Sequence, residues 1–351
     1  MIGVDVKVGE GGGQVLRTAL AIAAVKGIPV RVYNIRARRS RPGLQHQHLA
    51  SVKALADITN AKVEGAFLGS TEVVFRPGKP AGGEYFFDIG TAGSVTLLLQ
   101  AIMPVMAASH QTTVVRVRGG TDVPKSPPID YFRYVLVPLL AKLGIDFKVE
   151  LVRRGHYPRG GGEVVVTYRP SRAKAANLVD AGKVLSIGGL SHCVRLPSHV
   201  AMRQARAAEG ALRHLGVPVS ISVEHYEGRD DPHLGPGSGI VVWAVTENSV
   251  LGGDSLGERG KPAEVVGREA AESLLQDLST GMALDRHASD MMFIYASMIG
   301  GVTRLGGASL TSHAKTVVDL LRIIMPEVTI ELSTSEEGKP FIATVNGVDL
   351  L

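Results

Sequence analysis

The chain has 351 residues, 45 % of them hydrophobic and 20 % charged, and a formal net charge of +5. That balance describes an ordinary globular protein with room for a large core split into two or three domains. A single cysteine, Cys193, excludes internal disulfides and cysteine-built zinc sites, and no apolar run reaches membrane-spanning length. The N-terminus does not read as a signal peptide, so the expected compartment is reducing cytoplasm.

In chain order, alternation at Ile2, Val4, Val6 and Val8 predicts a strand. It ends in Gly9-Glu10-Gly11-Gly12-Gly13-Gln14-Val15-Leu16-Arg17, which runs on into an apolar helix. A second strand, Val30 to Arg36, precedes a helix opened by Pro42-Gly43 with Leu49, Val52, Leu55 and Ile58 at helical spacing. Strands at 61–64 and 72–77 close a β-α-β-α-β-β unit. The order recurs: strand 84–89, glycine turn 90–94, helix 95–103, strand 113–118, helix from Pro127-Pro128, and strands 146–151 and 163–170. The echo of Glu-Val-Val-Phe-Arg-Pro in Glu-Val-Val-Val-Thr-Tyr-Arg-Pro marks the repeat. A fainter third copy has an apolar run at 291–299, a strand at 308–313, a helix at 317–325 and closing strands at 328–332 and 341–345. Its first strand is not apparent.

The fold class expected is therefore α/β (α+β): three βαβαββ repeats, about 1–80, 81–175 and 282–351, forming a large domain of 1–175 and 282–351. A small α/β insert domain at 176–281, with its own strand and helix pattern, lies between the second and third repeats.

Glycines at a strand-to-helix junction let backbone approach a ligand and leave the first helical N–H groups free, which suits phosphate; a tight turn before a buried helix is the plainer alternative. Arg17, one turn in, points back over that loop. Arg31, Arg36, Arg38, Arg39 and Arg41 fall within eleven residues, and Arg36 to Leu49 is the densest polar stretch; guanidinium forks match phosphate bidentately, and a solvated basic loop is the plainer alternative. His46 and His48, two apart, do not share a helical face, so capping or surface roles fit them better than metal binding. The hairpin Arg153 to Gly162 reads as an RNA contact or simply a turn. If the repeats share one geometry, the strand ends at Arg36, Arg118 and His313 face one cleft. There Asp290 is expected to orient one nitrogen of His313, leaving the other as nucleophile; a structural or surface histidine is the alternative. Aromatic residues, at 5 %, are too sparse for extensive base-stacking platforms.

With these residues in view, the sequence resembles the RNA 3′-terminal phosphate cyclase family over nearly its whole length. The motifs that carry the resemblance are Gly9 to Arg17, Arg41-Pro42-Gly43-Leu44 with Gln47-His48-Leu49, Gly93-Ser94 with Gln100, Gly119 to Pro124 with Pro127-Pro128, Tyr157-Pro158 with Gly160 to Gly162, and His313. The resemblance implies ATP-dependent conversion of RNA 3′-phosphate ends to 2′,3′-cyclic phosphates through a covalent histidine–AMP. It makes His313 the nucleophile, flanked by Asp290 and His287, and Glu10 a contact for a divalent metal, Mg or Mn. Arg17, Arg36 and Arg39 become phosphate ligands, with Gln47 near them, while Gln100 and Pro127 line the adenine pocket. ATP and RNA with a 3′-phosphate are the implied partners, no membrane is involved, and the resemblance leaves room for a homodimer.

Two positions depart from the family pattern: Met291 stands where glutamine is expected, and Val317 where asparagine is expected after threonine. Two other readings compete. One is a non-catalytic relative acting in ribosome assembly, which would lack the histidine. The other is an enolpyruvyl-type transferase of related architecture, which would form no covalent nucleotide and lack the insert.

Overall fold

The computed structural model describes residues 1–7, 12–226 and 231–351. The first unit comprises β1 (Ile2–Asp5), α1 (Gly13–Lys26), β2 (Val30–Tyr33), α2 (His46–Thr59), β3 (Lys62–Glu64) and β4 (Glu72–Arg76). The second comprises β5 (Gly83–Asp88), α3 (Val95–Ala107), β6 (Thr113–Gly119), α4 (Ile129–Tyr131), a π-helical turn (Phe132–Leu136), α5 (Val137–Lys142), β7 (Asp146–Arg153) and β8 (Gly162–Arg169). Next come β9 (Asn177–Leu178), β10 (Val184–Val194), α6 (His199–Leu212), β11 (Val219–His225), β12 (Gly237–Thr246), β13 (Val250–Leu256) and α7 (Ala263–Leu278). The chain closes with α8 (Arg286–Ser297), β14 (Gly301–Gly307), α9 (Ser312–Ile324), β15 (Thr329–Leu332) and β16 (Phe341–Gly347).

Three four-stranded sheets share one topology, in the orders β1-β2-β4-β3, β5-β6-β8-β7 and β9-β14-β16-β15. In each, the first two strands run parallel and the remaining pairs antiparallel. The fourth sheet, β11-β10-β12-β13, is covered by α6 and α7 and has a separate core built on Ile187, Leu212, Ile240, Val242, Leu251 and Leu274.

Helix α1 is the hub of the large core. Every residue from Val15 to Val25 is buried, the pattern of a helix surrounded by protein rather than half-wet, and it packs against α2, α3 and α9. It stops at Gly27, whose φ of 72° only glycine adopts without strain. The other helices that matter here start on side-chain caps. Ser94 accepts from the Leu97 N–H, Asp285 from those of His287 and Ala288, and Thr311 from that of Ala314.

Three expectations need correction. The strand expected to reach Arg36 ends at Tyr33, because Asn34 and Arg36 take φ of 58° and 55° and turn the chain. The segment expected as strand 308–313 is the cap and first turn of α9, so His313 stands on a helix and the strand is β14, whose four glycine and threonine positions concealed its alternation. Residues 177–178, assigned to the insert, pair parallel with Arg304 and Leu305. The third unit therefore begins before the extra chain, which interrupts it; a two-residue strand is too short to show any period.

Candidate active site

Four helix N-termini are tied together at one end of the core. At α1, a Cβ on Gly13 would lie 2.3 Å from His48 Nε2 and 3.0 Å from an Arg17 guanidinium nitrogen, so only glycine lets both side chains lie across the helix start. His48 belongs to the first turn of α2, where its Nδ1 accepts from the Gln45 N–H at 3.2 Å, capping the helix and leaving Nε2 as the protonated nitrogen. Gln47, beside it, accepts from the Ser94 N–H at 3.3 Å, joining α2 to the start of α3. Gln14 of α1 donates through Nε2 to the His313 carbonyl at 3.1 Å and pairs through Oε1 with His313 Nδ1, joining α1 to α9.

The cluster is rich in cations. Burial lowers the Arg17 guanidinium to about 10. Arg36 is lowered by burial and then by Arg39, and a terminal nitrogen of Arg39 reaches to within 3.9 Å of where a Gly12 Cβ would stand. His48 is held down at about 4 by burial and then by the charges of Arg17 and Arg36, so it is neutral at pH 7. Among the described residues no carboxylate pairs with Arg17, Arg36 or Arg39. Helix N-termini together with guanidiniums that have no carboxylate partner among the described residues suit an anion.

His313 is exposed, with Nδ1 occupied by Gln14. Asp290 does not orient the ring, as the sequence reading expected. Its carboxylate instead accepts from the hydroxyl of Thr311, the cap of the helix that carries His313, and burial pushes Asp290 up to about 7. The reason is position: His313 is the second residue of α9, two past the capping Thr311 that Asp290 reaches.

The other expected residues line the seam of α3 with α8. Gln100 Nε2 contacts Met291 Sδ at 3.4 Å, so the departing methionine meets an expected site residue. The Pro127 carbonyl accepts from the Thr96 hydroxyl at 2.7 Å, and His287 lies edge-on to Tyr131. Glu10 lies outside the described residues. Arg118 is not part of the phosphate cluster, for its guanidinium is held by Glu163 and Asp88 over the Phe86 ring. Sequence reasoning passed over Gln14, Thr311 and the placement of His48; a glutamine directly after the last glycine was the available signal.

A profile of the RNA 3′-terminal phosphate cyclase family matches residues 8–331. A protein of Hyperthermus butylicus named RNA 3′-terminal phosphate cyclase is 59 % identical over 99 % of this chain and 98 % of its own length. Proteins of the same name from Ignicoccus hospitalis and Caldivirga maquilingensis are 55 % and 52 % identical over similar spans. The chain belongs to the RNA 3′-terminal phosphate cyclase family. Among solved structures, the enolpyruvyl transferase NikO of Streptomyces tendae aligns with a TM-score of 0.43 at 12 % identity, over 99 % of this chain and 48 % of that one. No helix among the described residues is long and apolar enough to cross a membrane.

Proposed function

We propose that this chain is an ATP-dependent enzyme that converts RNA 3′-phosphate ends to 2′,3′-cyclic phosphates through an adenylated His313. The observation that carries the assignment is the Gln14–His313 pairing, which seats an imidazole on the N-terminus of α1, where Arg17 and His48 lie against the preceding Gly13. Gln14 Oε1 accepts from Nδ1–H, so the lone pair is on Nε2. Nε2 attacks the α-phosphorus of ATP, forming the N–P bond as the bond to the pyrophosphate oxygen breaks. Arg17, Arg36 and Arg39 offset the charge on the phosphates. An oxygen of the RNA 3′-phosphate then takes AMP from the histidine, and the vicinal 2′-OH attacks the activated phosphorus and expels AMP. A phosphate monoester lacks a good leaving group until adenylation supplies one.

Gln100, Pro127 and His287, along the α3–α8 seam, are assigned to the adenine, and Gln47 to the RNA or nucleotide phosphate. The divalent metal, Mg or Mn, is assigned to Glu10, outside the described residues, and every step above uses side chains alone. The enolpyruvyl-transferase reading predicts no covalent nucleotide. Incubation with α-labelled ATP and a divalent metal, followed by denaturation, should leave label on wild-type protein and none on His313→Asn. Label-free wild type would overturn the assignment.

A further inference from the structure

The proposed adenylation chemistry does not use the basic glycine hairpin between β7 and β8, yet the hairpin carries a fully buried charge. Arg154 is fully enclosed and donates to Asp122 Oδ2 (3.3 Å), Asp130 Oδ2 (2.7 Å) and both oxygens of Glu224 on β11 (2.7 and 3.0 Å). Beside it, His156 of the hairpin and His192 of β10 point Nε2 at Nε2 across 3.2 Å. Asp122, His156 and His192 are 2 %, 6 % and 1 % exposed, and each offers a ligand atom within 4.8 Å of the others.

Three features suit this cluster to a cation. Asp122 Oδ2 is taken by Thr121 and Arg154, while its Oδ1 is buried without a hydrogen-bond partner among the described residues. The acids around Arg154, the buried Asp122 and Asp130 and the half-buried Glu224, outnumber Arg154 and the Arg133 that pairs with Asp130. The strand opposite is cut away to admit the rings. A Cβ on Gly237 would lie 2.0 Å from His156 Cγ, and one on Gly239, the register partner of His192, 3.1 Å from His192 Cε1.

We propose that Asp122, His156 and His192 bind a divalent transition metal of the zinc class, which clamps the insert to the second unit. Two imidazole nitrogens and one carboxylate oxygen suit zinc, whereas magnesium and calcium favour oxygen throughout. His233, outside that group of three atoms but near enough for its charge to weigh on both imidazoles, is the neighbouring histidine that could complete the set. Its Nδ1 is held by Asp231 at 2.6 Å, the carboxylate–histidine arrangement that leaves Nε2 free to coordinate, and that Nε2 is buried without a partner among the described residues. The clamp also braces the hairpin, whose Gly160 lies against Ala92 in the turn leading to Ser94 and Gln47. This site is independent of the adenylation assignment.

The test is metal content and metal titration on the full-length protein. Wild type dialysed against a weak chelator should retain about one zinc per chain by elemental analysis, or take up one Co2+ per chain after stripping, with the visible d–d bands of a low-coordinate imidazole-ligated ion. His192→Gln should lose that equivalent while keeping its circular dichroism and its self-adenylation. Should that variant fail to fold, the wild-type Co2+ titration decides alone. Absence of a stoichiometric site in wild type would overturn the proposal in favour of a neutral N–H···N bond between the rings, as would undiminished binding by a folded His192→Gln.

Discussion

If His313 is the nucleophile proposed above, what sets it apart from an ordinary exposed histidine is Gln14. An imidazole presents a lone pair in a fixed direction only when its other nitrogen is held, and Gln14 holds Nδ1 while bonding the same residue's carbonyl. Gln14→Ala removes both bonds; the one that orients the ring, to Nδ1, is a neutral hydrogen bond worth about 0.5–1.5 kcal/mol, so single-turnover adenylation should slow by at least roughly 2- to 13-fold with little change in ATP affinity. An unchanged rate would mean that the ring is oriented by something else. Arg39 makes the complementary case. It is exposed and has no acidic partner among the described residues, so its loss should barely touch stability. If it holds a phosphate, Arg39→Ala should lower kcat/KM on 3′-phosphate ends by about 1.5–3 kcal/mol, roughly 10- to 150-fold. Wild-type turnover at limiting RNA and ATP would remove it from the site.

Among the elements, the proposed chemistry depends on how α9 begins. Thr311 caps it, and Asp290 on α8 holds Thr311, so two residues that never touch the imidazole fix where it stands. Thr311→Ala should cost about 0.5–2 kcal/mol of stability and reduce adenylation by more than that loss explains. Proportional losses in the two measurements would make the cap merely structural. Asp290 also gives the fold a pH signature. Its carboxyl ionises near 3.8 when unfolded but near 7 in the fold, because burial disfavours the charge. Between about pH 4 and 7 the folded state thus binds more protons, and stability attributable to this residue falls as pH rises through that window. Denaturant midpoints of wild type minus Asp290→Asn should decline from pH 4 to 7 and level off above; a flat difference contradicts a buried, protonated Asp290.

For the whole molecule, much was legible because repetition amplifies weak local signals. Strand and helix periods that are ambiguous once become persuasive when Gly13 and Gly93 recur eighty positions apart, and the motifs around Arg17, Gln47 and Gln100 lie on helices that do meet. What stayed hidden has no period or depends on contact. The two residues of β9 carry no alternation, the glycines of β14 blur its pattern, and the turn at Arg36 depends on left-handed backbone that arginine seldom adopts. No spacing rule could show that Gln14 rather than Asp290 meets His313, since those two residues lie 299 positions apart. The interruption of the third unit also suggests a deletion. Asp180 bridges Met282 and the Ala181 N–H donates to the Gly281 carbonyl, so the two ends of the extra chain already touch. A variant closed across 181–281 should self-adenylate but be less stable, having lost Glu224 from Arg154 and Trp243 from its stack on Tyr134. A folded deletion that cannot form the adduct would place part of the site in the insert.

The central claim is that His313 Nε2 becomes covalently bound to AMP, and the chemistry of the label tests it most directly. Wild type incubated with α-labelled ATP, denatured and digested should carry its label on the peptide containing His313. That label should be lost in mild acid and stable in alkali, because protonating a phosphoramidate nitrogen makes imidazole a good leaving group. Label that resists acid, maps to Lys315, or persists in His313→Asn would contradict the account and point to a lysine nucleotidyl transfer instead.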